Sequence, residues 1–321
     1  IEQSASGMLE NLARSGHSYA AKTAAAAFGR QHQLLERWSG VTQASYLSKL
    51  AEGLSGEKAD EVLDALLSDF DQLGRILLDS TNVRVQVNAE ALSPALVQRL
   101  RGLWGPSLRA SEFVFQNDPV NVRKAALSPR KLFFPLPSQV NFVSRVFPTF
   151  VTYAHEDMAA LTIGSKVMSS CFLHREIREK GGAYGGGCSA GSDGLFSLTS
   201  YRDPRLDKTL DTFEEAFQWI QKPDSFSDRD VLEAKLSVFS SIDKPVPPSS
   251  RGLNEFSTGV TYEQREKHRK QLLAVDRRAI LTAFSKHVLP NLERLSVAAL
   301  GNDQLEKEVE DEPVVLGTPV M

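Results

Sequence analysis

The chain has 321 residues, 41% hydrophobic and 24% charged, which is the make-up of an ordinary soluble globular protein with room for two domains. A net charge of −3 without any basic block leaves out the phosphate-neutralising surface of a nucleic-acid binder, and no apolar run is long enough to span a bilayer. Cys171 and Cys188 are too few for a secreted disulfide framework and point to a reducing compartment, and with Ile1 as its first residue and no signal or transit segment the chain reads as an internal start.

Residues 1–29 are rich in alanine and read as two helices, broken at Ser15-Gly16 and near Gly29. Over 58–78, Val62, Leu66 and Phe70, with Leu63 and Leu67, keep the four-residue spacing of one buried helix face. Asn82 to Asn88 alternates apolar and polar, which predicts a strand with one covered face. Ser93-Pro94 supplies an N-cap and a proline at the first helical position, ahead of Leu96, Leu100 and Leu103. Periodicity fades over 105–130, which Gly105-Pro106, Asp118-Pro119 and Ser128-Pro129 punctuate, so a linker is expected there. Gln139 to Val146 reads as a strand, and Pro135, Pro137 and Pro148 give it an edge character. A helix from about Asp157 to Lys180 turns Leu161, Met168 and Phe172 inward. A strand is expected at Leu195–Tyr201, and Asp203-Pro204 then opens a helix lined by Leu206, Leu210, Phe213 and Phe217. Ser227 and Asp230 form a capping-box signal before Leu232, Leu236 and Phe239. Pro245 to Ser250 is a rigid loop, 262–288 is helical, Arg294–Ala299 is a last strand, and the acidic tail after Gly301 is expected to fray.

A faint repeat runs through this order. Gly40-Val41-Thr42 returns as Gly259-Val260-Thr261, and Arg84-Val85-Gln86-Val87 as Arg294-Leu295-Ser296-Val297. The series predicts two copies of one α+β domain, the first lacking its front half and therefore showing an uncovered edge or apolar face.

Chemistry concentrates in His174-Arg175-Glu176-Ile177-Arg178-Glu179-Lys180-Gly181-Gly182-Ala183-Tyr184-Gly185-Gly186-Gly187, the charged end of a helix running into glycine. Without side chains the backbone there is open, and positive φ is cheap. Arg178 offers five fixed donors before the break and Tyr184 one phenol inside it, a set suited to the carbonyls of an extended peptide. Two other readings stand beside this one. The glycines can be a C-cap and flexible turn, with Arg178 paired to Glu179 or to backbone carbonyls. Gly185-x-Gly187-x-x-Ala190 meets a loose dinucleotide pattern, but that motif follows a strand and opens a helix, whereas here a helix precedes it.

The stretch Glu176–Gly187, with Ser200-Tyr201-Arg202-Asp203-Pro204, Glu233 to Ser240, Ser15-Gly16-His17 and Trp38-Ser39-Gly40, resembles the C-terminal part of the presequence-protease family. Its members are pitrilysin-type zinc metalloendopeptidases of the inverzincin group. The resemblance implies an α+β fold of two pitrilysin-like α/β sandwich domains, each a mixed or antiparallel sheet covered by helices. Residues 1–104 would be the second half of one domain, 105–130 a linker, and 131–321 a complete C-terminal domain. It also implies that Arg178 and Tyr184 act on the substrate, with Gly181 and Gly182 beside them in the binding stretch. Short unstructured peptides would be the substrates, targeting and amyloid-type peptides among them, and the mitochondrial matrix or a plastid the site of action.

The family's zinc is held by H-x-x-E-H, and no such motif occurs here. His17, His32, His155, His174, His268 and His287 stand apart in sequence, and neither cysteine has a histidine cluster, so no metal is expected on this chain. Zinc and general base are expected from a separate N-terminal half. The alternative from another class is a non-catalytic pitrilysin-fold scaffold, such as the core subunits of respiratory complex III. Glu214-Glu215 reads as a solvated helix face, and Tyr201-Arg202 as a strand end.

Overall fold

A computed structural model describes residues 1–78, 83–91, 93–104, 130–136, 138–301 and 315–316. The expected linker, Pro137 and most of the acidic tail lie outside them. The chain divides into two compact units, one of residues 1–49, 120–243 and 266–321, the other of 50–119 and 244–265.

The larger unit begins with α1 (Glu2–Ala25) and α2 (Arg30–Ser39), and α3 (Val41–Leu54) starts within it. The break expected at Ser15-Gly16 is present as a kink, with Ser15 at φ −129° and ψ 31°. Gly16 is there because a Cβ would fall 2.4 Å from the Phe142 ring, so α1 can lie flush on the sheet only through a residue without a side chain. Six strands follow the order β3-β4-β2-β5-β1-β6, with β1 at Arg130–Pro135, β2 at Asn141–Thr152, β3 at Gly185–Ala190, β4 at Asp193–Asp203, β5 at Ser296–Gly301 and β6 at Val315–Leu316. The β3/β4, β4/β2 and β2/β5 pairs are antiparallel, and the β5/β1 and β1/β6 pairs parallel.

Both faces of this sheet are covered, and β2 shows why. Phe142 and Val146 face Leu12, Ala20 and Phe28 of the N-terminal helices. Val143 and Phe147, one step out of phase, enter the opposite core with Phe196, Phe213, Phe217 and Phe284. The second core is closed by α6 (Met158–Met168), the π-helical segment Ser169–Glu179 that continues it, α7 (Leu206–Ile220), α8 (Asp228–Ile242) and α11 (Arg277–Ala283). The α8 capping box forms as the sequence predicts, Ser227 Oγ accepting from Asp230 N–H and the Asp230 carboxylate from Ser227 N–H.

Two expectations need correction in this unit. Residues 1–49 do not belong with 50–104 as half of a separate domain; the buried stripe of α1 completes the sheet of 131–301. And β2 is central, not an edge. Pro148 is tolerated because it lies beyond the last rung shared with β5, Val146 with Ser296, next to a register shift against β4. Glu214 lies on the solvated face of α7, as expected, and there also forms an ion pair with buried Arg145, whose guanidinium lies over Phe217 at 5.5 Å.

The smaller unit holds α4 (Ala59–Leu77), α5 (Pro94–Trp104) and α9 (Leu253–Thr258), and α10 (Tyr262–Ala274) begins in it. Ser93 caps α5, its Oγ accepting from Leu96 N–H at 3.2 Å. Among the described residues the stretch Val83–Asn88 is extended but joins no ladder, so the strand expected there is absent. Its polar side chains are used instead: Arg84 and Gln86 each donate at 3.0 Å to the carbonyls of Phe256 and Arg251. On α4, Leu63, Leu67, Phe70, Leu73 and Leu77 are exposed while Leu66 is buried, so most of its apolar face is uncovered.

Candidate functional site

The π-helical segment closes with Lys180 N–H donating five residues back to the Arg175 carbonyl, at 3.0 Å. The chain then reverses. Gly182 N–H donates to Arg178 O and Ala183 N–H to Ile177 O, at 3.0 and 3.1 Å. Each glycine has a specific reason. A Cβ on Gly181 would lie 2.1 Å from the Ile177 carbonyl oxygen, and Gly182 sits at φ +81°, in the left-handed region.

Arg178 and Tyr184 meet across this turn. The Arg178 guanidinium carbon is 5.6 Å from the Tyr184 ring centroid. Among the described residues it has no carboxylate partner, because Glu179 contacts His174 (3.4 Å) and Glu176 is taken by Arg175 and Lys180. Burial works against the charge on Glu176, but those two cations outweigh it and hold its carboxyl below the ordinary carboxylate range. Tyr184 is 64% exposed, and its backbone is pinned, N–H donating to the carbonyls of Tyr201 and Arg202 at 3.1 and 3.3 Å.

Two residues that the sequence reading set aside extend the site. Tyr201 makes an edge-to-face contact with Tyr184 at 5.4 Å and another with His17 of α1 at 4.9 Å. Arg202, at φ 50°, holds a left-handed conformation that costs a non-glycine residue about 1–3 kcal/mol. The buried Asp203 carboxylate maintains it by accepting from Ser200 and Thr209 hydroxyls, at 2.7 and 2.6 Å, and from Arg205 N–H, at 2.9 Å. The partial signal in sequence was the aromatic and basic pair immediately before Asp203-Pro204.

Gly185-Gly186-Gly187 is not a flexible loop. It is the start of β3, an edge strand of the described sheet, paired with β4 on one side only. Alternate peptide groups along it point away from β4, next to Tyr184. Gly186 must be glycine because a Cβ would meet the buried Ile177 side chain at 2.8 Å. No strand enters a phosphate-binding helix here, so the dinucleotide reading has no structural support.

A helix-covered mixed sheet of this kind is the fold of the pitrilysin-like M16 peptidase domains. The match to a solved protease from Helicobacter pylori, with a TM-score of 0.57 at 11% identity over 76% of this chain and 60% of that one, reflects shared fold. Residues 131–292 match the family model of the PreP C-terminal domain and residues 1–50 that of the region associated with peptidase family M16, subfamily C, and the chain belongs to the presequence-protease C-terminal-domain family. It is 34% identical to the mitochondrial presequence protease of Danio rerio over 96% of this chain, and 37% identical to that of Yarrowia lipolytica over 94%. It spans about a third of those proteins' lengths, 31% and 30%.

Proposed function

We propose that this chain is the substrate-gripping portion of a zinc metalloendopeptidase that degrades short unstructured peptides, targeting and amyloid-type peptides among them, in mitochondria. The observation that carries the reading is the Arg178 guanidinium, free of carboxylate partners among the described residues and beside the exposed Tyr184 phenol, at the head of an edge strand that opens with three glycines. A structural arginine at a helix end would be paired. A scaffold has no use for a guanidinium without a carboxylate partner among the described residues, set beside an exposed phenol.

An extended peptide laid along β3 would exchange backbone hydrogen bonds with it, each contributing about 0.5–1.5 kcal/mol net. Arg178 would donate to a peptide carbonyl or C-terminal carboxylate, a charge-assisted bond of about 1.5–3 kcal/mol. Tyr184 would donate to the carbonyl oxygen that gains charge as the peptide is attacked. Glycine at 185–187 lets substrate side chains of any size lie over the strand, which suits a broad range of unstructured sequences.

The zinc that the family implies does not fit on these residues. There is no H-x-x-E-H, and the described residues near Arg178 and Tyr184 offer no cluster of three ligands. Zinc and general base would come from an N-terminal half, as the greater length of the relatives supports. The test is to mix the chain with the H-x-x-E-H half of a relative and follow cleavage of a fluorogenic peptide. Hydrolysis should appear on mixing and fall about 10²–10³-fold with Tyr184→Phe, the usual cost of one such donor. Restored hydrolysis that is indifferent to both Arg178→Ala and Tyr184→Phe would overturn the assignment.

A further inference from the structure

Three groups of metal-ligating type, drawn from two separate stretches of the chain, converge in the fold. His155 and Asp157 lie in the connection from β2 to α6, and His287 lies in a second π-helical segment, Phe284–Val288. One ligand atom from each lies within 4.8 Å of the others. His287 Nε2 is 2.7 Å from Asp157 Oδ2, and His155 Nδ1 is 3.9 Å from the same oxygen. Bonds of about 2.0–2.1 Å in a tetrahedral zinc site set neighbouring ligand atoms about 3.3–3.4 Å apart. One contact therefore needs to open and the other to close by about half an ångström, within the reach of side-chain rotation. The third, between the imidazoles, closes from at most 4.8 Å. The two rings are 5.0 Å apart and inclined at 85°, so they are not stacked and a nitrogen of each can face the carboxylate.

The surroundings suit a cation. Side-chain exposures of 33, 24 and 13% for His155, Asp157 and His287 leave the group partly buried but open enough for an ion to reach. A cation already sits there: Lys286 Nζ is 3.0 Å from Asp157 Oδ2. Lys286 is itself 54% exposed and also feels the charge of Glu156, so its ammonium can withdraw toward that carboxylate when a metal arrives. Asp157 N–H donates to His155 Nδ1 at 3.0 Å, and a metal on that nitrogen replaces one neutral hydrogen bond.

We propose that His155, Asp157 and His287 form a binding site for a divalent transition-metal cation of the zinc class, with a fourth position open to water. Two imidazoles and a single carboxylate favour zinc over calcium or magnesium, which take oxygen ligands. Bound metal ties the β2–α6 connection to the π-helical segment near the end of the fold. This site is separate from the H-x-x-E-H metal of the proposed N-terminal half, and it stands or falls independently of the peptide clamp. It also departs from the sequence expectation that this chain holds no metal.

The experiment uses the chain as it is, stripped with chelator and titrated with zinc chloride by calorimetry, with metal content measured after gel filtration. One zinc per chain is expected, with a rise in Tm, and neither effect with calcium or magnesium. His155→Ala and His287→Ala should each abolish the stoichiometric binding. Lys286→Gln should tighten it about 3–10-fold, because the competing ammonium is gone. If His287→Ala does not fold by circular dichroism, Lys286→Gln decides, since a merely structural cluster gives no gain of zinc affinity. No saturable zinc binding up to about 100 μM, or binding unchanged in the histidine and lysine variants, overturns the site.

Discussion

Gly181→Ala tests whether the turn, and not the helix before it, sets the clamp. The new Cβ would sit 2.1 Å from Ile177 O and 2.3 Å from Arg205 Nη2. Arg205 can swing aside; the carbonyl cannot. It accepts Ala183 N–H at 3.1 Å, and its own side chain is 1% exposed in the core. Reaching even 3.0 Å, below which real Cβ atoms are essentially never found, demands about 0.9 Å of movement in a segment fixed at both ends. Overpacking of this kind costs about 1–3 kcal/mol, and the strained or lost Ala183 bond adds about 0.5–1.5. At about 2–4 °C per kcal/mol for a unit of 150–250 residues, Tm by circular dichroism should fall by several degrees, within about 3–18 °C. Because Arg178 follows Ile177 directly, calorimetric binding of an unstructured peptide should weaken in parallel. Gly182→Ala is the control. Only Pro204 Cγ, at 3.6 Å, would lie near its Cβ, so the cost is that of the left-handed backbone, about 1–2 kcal/mol. A Gly181→Ala protein with Tm unchanged within about 1 °C would refute the packing, and one that loses stability but keeps full peptide affinity would refute the link to Arg178.

Three further outcomes follow from the same packing. Tyr201→Ala removes ring contacts to both Tyr184 and His17, so it should cost about 1–3 kcal/mol beyond lost burial in a urea melt, and should weaken peptide binding in calorimetry, whereas Tyr201→Phe should do neither. Burial pushes the Cys188 thiol up to about 12, only partly opposed by Ser169, so at pH 8 roughly one in ten thousand is thiolate, and mass-mapped alkylation should leave Cys188 unlabelled until urea is added. Glu176 is held below its ordinary pKa, so its stabilisation is present above about pH 4.3 and is lost as pH falls through the lowered folded value; Glu176→Gln should have a lower Tm than the parent at pH 7, and the gap should narrow as the pH drops below the ordinary carboxylate range.

What the sequence disclosed depended on how local the cause was. The helix from Asp157 to Lys180, the kink at Ser15 and the α8 capping box rest on neighbours in the chain, and all three appear. The β3 strand could not be read, because three glycines carry no alternation and little strand propensity; only the rungs to Tyr201, Ser200 and Thr199 make it a strand. Alternation misled at Val83–Asn88, where it marks which residues are polar but supplies no partner, and Val85 stays 52% exposed. Its proposed echo, Arg294-Leu295-Ser296-Val297, overlaps a true strand because β1 and β2 flank it. Similarly, His155 and His287 are 132 positions apart by number, and nothing short of the fold brings their rings to 5.0 Å.

The spacing of Arg178 and Tyr184 takes its meaning from the break between them. In an unbroken α-helix, residues six apart are separated by about 9 Å along the axis and about 240° around it, so the two side chains would face different ways. Here the helix stops within that interval. Gly182 N–H and Ala183 N–H turn back onto Arg178 and Ile177, and Tyr184 starts afresh with its N–H on the Tyr201 and Arg202 carbonyls. A helix end and an edge strand, two elements that ordinarily share no side chain, thus place a guanidinium over a phenol at 5.6 Å. The glycines are what permit it, one by leaving room for a carbonyl and one by taking positive φ. On the proposed reading the unit of recognition is an arginine, a reversal and a tyrosine on open strand, and substituting the reversal should damage the grip as surely as removing either side chain.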